Sequence, residues 1–191
     1  MEEEFEVPSP HDHAVEHVAE EGHGGDSFAA RIAVMTAVLA TLGAMFGYEG
    51  GATQNEAALL KNDAAITATK ASDQWNYYQA KSNKLTVAEL AQALPGVDQN
   101  KYKADAERYK GEREEIKKEA EKLEAQVEAL NKQSEERMHH HHSWARATTA
   151  EQIAISLAAI ALLTRKKWLQ YAAYAVAATG AGIGLLAFFG G

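Results

Sequence analysis

Three nearly uncharged runs, Phe28 to Tyr48, roughly Thr148 to Leu163 and Trp168 to Phe189, limit what this 191-residue chain can fold into more than any other feature. Each approaches or reaches the ~20 residues whose helix crosses a ~30 Å hydrocarbon layer. A polar helical stretch of about a hundred residues separates the first run from the second, so the apolar side chains cannot converge on one soluble core. The negative mean hydropathy averages over two unlike kinds of segment. The expected fold class is therefore an all-α membrane protein, with three transmembrane helices and a long antiparallel coiled-coil hairpin between the first and second.

The boundaries follow from local signals. Residues 1–27 hold nine acids, four histidines and no Lys or Arg, the composition of a disordered tail. No basic residue precedes the first apolar run, so the helix at 28–48 is expected to be a retained anchor, not a cleaved signal. Asp26 or Ser27 can cap it, and Arg31 in its first turn can snorkel to headgroups. Gly50 and Gly51 are expected to bend the chain as it leaves the membrane.

The hairpin is expected over 49–147. In its first arm Leu60, Ala64, Ala68, Ala71, Trp75, Tyr78 and Leu85 form an apolar face, with an extra four-residue step between Ala64 and Ala68 that implies a local change of supercoil. Thr86 and Glu89 spell a capping box, which predicts a fresh short helix ending at Leu94. A turn follows at 95–97, and Asp98 can cap the second arm. There Tyr102, Ala106, Tyr109, Arg113, Ile116, Ala120, Leu123, Val127, Leu130 and Ser134 alternate four and three residues apart, a heptad seam. At 1.5 Å per residue the hairpin would reach about 60–70 Å. A two-helix hairpin of that length exposes apolar surface along its edge, which predicts association.

The second and third membrane helices are expected at 148–163 and 168–189, joined by a basic turn at 164–167. Arg165, Lys166 and Lys167 form the densest basic loop beside any membrane end. The positive-inside tendency therefore places that turn and the N-terminus in the cytoplasm and the hairpin in the periplasm of a bacterial inner membrane.

Candidate interaction residues lie in the aromatic, amide-rich stretch Ala71 to Lys84. Trp75, Tyr78 and Ser82 share one helical stripe, read as hairpin seam; Asp73, Tyr77 and Lys81 share another, read as contact with a second helix or subunit, and Gln79 lies nearby. Gly43 and Gly47, and Gly180 and Gly184, present small faces that let helices approach. Glu151 and Arg31, each near a membrane edge, are expected to snorkel outward. Four consecutive histidines, 139–142, raise the question of a divalent metal; only His139 and His142 share a helical face, so an oligomer would have to complete a site. His11, His13, His17 and His23 with Asp12, Glu16 and Glu20 offer looser metal capture. No cysteine, nucleophile–base pair or phosphate loop is present and no basic patch stands clear of acids, so neither an enzyme nor a nucleic-acid partner is expected.

The segment Ser72-Asp73-Gln74-Trp75-Asn76-Tyr77-Tyr78-Gln79-Ala80-Lys81-Ser82, with the Leu162-Leu163-Thr164-Arg165-Lys166-Lys167-Trp168-Leu169 turn and the His-rich approach to the second membrane helix, resembles an uncharacterised bacterial membrane-protein family, domain of unknown function 4337. The resemblance covers about Phe28 to Leu186. It implies the architecture of one anchor, a hairpin and a closing helix pair, and it implies no activity. The expected role is a membrane-anchored scaffold or accessory subunit that self-associates or docks on another membrane protein. The alternatives are a metal-binding membrane protein and, more weakly, an oligomeric channel or transporter.

Overall fold

A computed structural model describes residues 27–189, so the acidic tail and its histidines lie outside the described residues. Three helices follow in order: α1 (Ser27–Gln92), α2 (Gln99–Thr164) and α3 (Lys167–Phe189). All three are long and apolar enough over part of their length to cross a membrane. The chain divides into two compact units: a three-helix unit whose described residues are 27–53 and 139–189, and a hairpin unit, Gln54–Met138.

In the three-helix unit the core is built mainly from small residues. Ile32 packs with Ala158, Ala161, Leu169 and Ala173, and the next layer joins Leu39 to Ala154, Ile155 and Ala177. On α2 the buried positions Trp144, Glu151 and Ala158 are seven residues apart, as are Ala147, Ala154 and Ala161. That spacing keeps one face of α2 turned inward. Alanine at so many inward positions lets the backbones approach closely. Hydroxyls here bond within their own helices: Thr36, Thr148, Ser156 and Thr164 each donate to the carbonyl four residues earlier. The basic turn is sharp, with Arg165 at φ 54°.

In the hairpin unit α1 and α2 run antiparallel, as pairings 57 with 134, 61 with 131 and 75 with 124 show. Ala57, Ala64, Ala71, Leu85 and Ala88 of α1 are buried, with Ala106, Ile116, Ala120 and Ser134 of α2. Ser134 holds its polar place in the seam by donating to the Ala57 carbonyl at 2.8 Å. At the tip, Gly96 adopts φ 84°, a left-handed conformation that costs glycine nothing. Asp98 Oδ1 accepts from the Lys101 amide at 3.2 Å, the capping role its position predicts.

Three local expectations fail. Helix α1 is unbroken through Gly50 and Gly51, because Gly50 is buried against Trp144, whose Cβ lies 3.4 Å from where a glycine Cβ would be. The chain also passes through Thr86 without a new start, since the Thr86 hydroxyl donates back to the Ser82 carbonyl instead of capping a helix. Finally, Ala68 is exposed and Thr67 half-buried. The seam therefore steps Leu60, Ala64, Thr67, Ala71 with no extra residue, because Thr67 and not Ala68 takes the inward position.

Candidate functional site

The Ala71–Lys84 stretch is the cross-bracing of the hairpin. Trp75 Nε1 donates to Glu124 of α2 at 2.8 Å, and its ring meets Tyr78 edge-on at 5.5 Å. The Arg113 guanidinium lies over the Tyr78 ring at 5.5 Å, which explains an arginine in the seam: its planar cation stacks on an aromatic face. Lys81 pairs with Glu112 and sits 5.2 Å from the Tyr77 ring and 5.5 Å from Tyr109. Lys81 therefore serves the hairpin's own closure, while Asp73, Tyr77 and Gln79 are exposed. Arg108 completes the group, over the Tyr109 ring at 4.8 Å.

Electrostatically, the cluster holds its charges. Hydrogen bonding to Lys81 holds the Glu112 carboxyl below the usual carboxylate range, and the same bond, with a contribution from Tyr77, raises Lys81. The contribution of a depressed carboxyl is complete above its ordinary value of ~4.3 and is lost as pH falls through the folded value; that of the raised lysine disappears only as pH rises through its own. Acid titration of the full chain, followed by circular dichroism, is expected to show helix stability falling below pH ~4. Glu112→Gln should flatten that slope, and an unchanged slope would show that Glu112 is not its source.

Beside this cluster runs an open groove of about 650 Å³, lined by Ala68, Ser72, Trp75, Asn76 and Gln79 of α1 and by Glu124, Val127 and Asn131 of α2. It is a trough along a helix pair, not an enclosed chamber.

In the three-helix unit a second constellation centres on Glu151. Its side chain is fully buried and neither carboxyl oxygen has a hydrogen-bond partner. Gly180 makes room for it, whereas Gly43 is only in ordinary contact with it. A Cβ on Gly43 would lie 3.7 Å from Glu151 Cβ, and one on Gly180 would lie 2.9 Å from Glu151 Oε1 and 3.0 Å from Ala150 Cβ. Glu151 thus faces inward, contrary to the snorkelling expected of it, because it shares the seven-residue register of Trp144 and Ala158. Gly184 makes room for Phe46, whose Cε1 would be 2.7 Å from an added Cβ, and the Phe46 ring is 5.7 Å from that of Trp144. Gly47, by contrast, approaches nothing within 4 Å. Of the expected pair, Gly43 meets a neighbour within the chain and Gly47 does not; Gly50, seven residues after Gly43, is the other α1 glycine of this unit in contact.

The imidazoles divide. His139 and His142 are exposed, whereas His141 Nδ1 lies 2.8 Å from the Gly50 carbonyl and its ring is 5.6 Å from that of His142. Among the described residues no three His, Asp or Glu side chains gather as a metal site. The structural partners the sequence did not single out are Glu112, Glu124, Phe46, His141 and Trp144. Projecting the α2 heptad onward through residues 137, 144 and 151 marks Trp144 and Glu151, and the parallel row through 134 and 141 marks His141.

These features define an all-helical protein with two long helices paired along a small-residue seam and a third that completes an apolar unit. The chain belongs to the family described as domain of unknown function DUF4337, whose model matches residues 28–190. No curated protein and no solved structure matches it.

Proposed function

We propose that the protein is a membrane-anchored helical scaffold: the apolar three-helix unit sits in a bilayer, and the hairpin unit stands in water as a coiled coil that associates with other protein. The observation that carries this reading is the leftover apolar surface of the hairpin. Its own seam is closed by cross-helix bonds, yet Leu59, Ile66, Val87 and Leu90 of α1 remain 48–64% exposed. On a helix standing in water, such a row supports an interaction surface. The mass of the protein solubilised from native membranes tests the reading. Assemblies larger than the 20.7 kDa chain are expected; a strict monomer with no co-purifying protein overturns it.

Glu151 favours a second reading, that an oligomer carries protons or cations through the bilayer, because ionisable groups facing a bundle interior mark such paths. Proton and cation flux into vesicles holding the wild type or Glu151→Gln tests it, and equal flux overturns it.

A further inference from the structure

We infer that the outer face of α1 in the hairpin unit pairs in parallel and in register with the same face of a second copy. This deepens the scaffold reading and rests on its membrane anchoring.

The face is a second heptad row. Leu59, Asn62, Ile66, Thr69, Asp73, Asn76, Ala80, Asn83, Val87 and Leu90 alternate three and four residues apart, and every one is exposed. It is displaced two residues from the row buried against α2, Ala57, Leu60, Ala64, Thr67 and Ala71. Two residues turn a helix by ~200°, so the rows lie on roughly opposite sides of α1, with Asn76 also reaching the edge of the groove. The two arms of the hairpin also differ in charge: residues 54–92 contain eight charged side chains and residues 99–138 contain twenty-one. Every solvated helix face could resemble α2; α1 does not.

Four features point to a second copy as the occupant. The row holds one charge, Asp73, so its partner must itself be nearly neutral, and the same row on another chain is. Asparagine amides both donate and accept, so Asn62, Asn76 and Asn83 can each bond to their own counterpart, the device by which buried asparagines set register between paired helices. Two chains anchored in one membrane with the same orientation are related by an axis along its normal, which makes their α1 helices parallel and brings each residue opposite itself. Finally, the flanks are compatible. Asp63, Lys70 and Lys84 border the row on one side, and Ala58, Ala65, Ser72 and Gln79 border it on the other. In a parallel pair opposite flanks meet, so each of those charges faces a neutral side chain. Asp73 meeting Asp73 is the one unfavourable contact, and it limits the strength of the pair.

The natural absence of cysteine makes the test direct. Asn62→Cys, Asn76→Cys and Asn83→Cys, each alone in the full chain, are oxidised in native membranes beside Lys118→Cys, which places the thiol at an exposed position of α2. A disulfide forms readily only where Cα atoms come within about 7 Å. The expected result is a band at twice the chain mass for the three face variants, absent for Lys118→Cys and strengthened when Asp73→Asn is added. Face cysteines that cross-link no better than Lys118→Cys overturn the inference, as does cross-linking to a different protein. If solubilised assemblies nonetheless exceed the monomer mass, the scaffold reading stands and only this surface is wrong; a monomer without partner removes both.

Discussion

Gly180→Leu is expected to destabilise the three-helix unit by about 3 kcal/mol or more, the upper range for overfilling a packed core. The reason is the company that residue keeps. A Cβ there would lie 3.0 Å from Ala150 Cβ and 3.3 Å from the Ala147 carbonyl, and neither atom can rotate away. The Glu151 carboxyl can move, but only within a space that is already filled. For a chain of this size the loss corresponds to a fall of roughly 6–12 °C in unfolding midpoint in detergent. Gly47→Leu serves as the comparison, since nothing lies within 4 Å of its added carbon, and a change under about 0.5 kcal/mol is expected. Equal midpoints for the two variants would show that α2 and α3 are not in contact at Gly180.

Glu151→Met is expected to do the reverse, raising stability by about 1–3 kcal/mol, the range associated with an unsatisfied buried polar group. Methionine has similar length, no polar atoms and enough flexibility to occupy the same slot. Thermal midpoints of the wild type, Glu151→Met and Glu151→Gln, measured together, check this. A less stable Glu151→Met would mean that the carboxyl has a partner in the assembled protein, such as another subunit. A more stable variant that has lost its role in the cell would identify Glu151 as a group kept for function at the expense of the fold.

The apolar runs, the seam of α2 and the hairpin turn were legible because they depend on short-range signals: apolar run length, the heptad, Gly96, and Asp98 as a cap. Misreadings came where a residue has two local meanings and only its neighbour decides. Thr86 can cap or bond backward, and within an apolar-faced helix it bonds backward. Gly50 can bend a helix or pack against a neighbouring one, and Trp144, ninety-four residues later, whose Cβ it meets, makes it the second. Glu112 and Glu124 were hidden among many Glu and Lys of α2, because no periodicity distinguishes the acid that meets Lys81 or Trp75 from those in water. Glu151 was misjudged from its distance to the end of an apolar run. Its rotational phase along α2 carried the correct answer.

The unbroken seven-residue spacing on both arms of the hairpin has a consequence for how such chains can diverge. Removing or adding one residue in either arm rotates everything beyond it by ~100° and turns the alanine row outward. Removing seven from each arm at matching heights, by contrast, restores every neighbour and shortens the rod by ~10.5 Å. Relatives of different lengths should therefore differ by paired multiples of seven, and the length of the hairpin would be inherited in discrete increments.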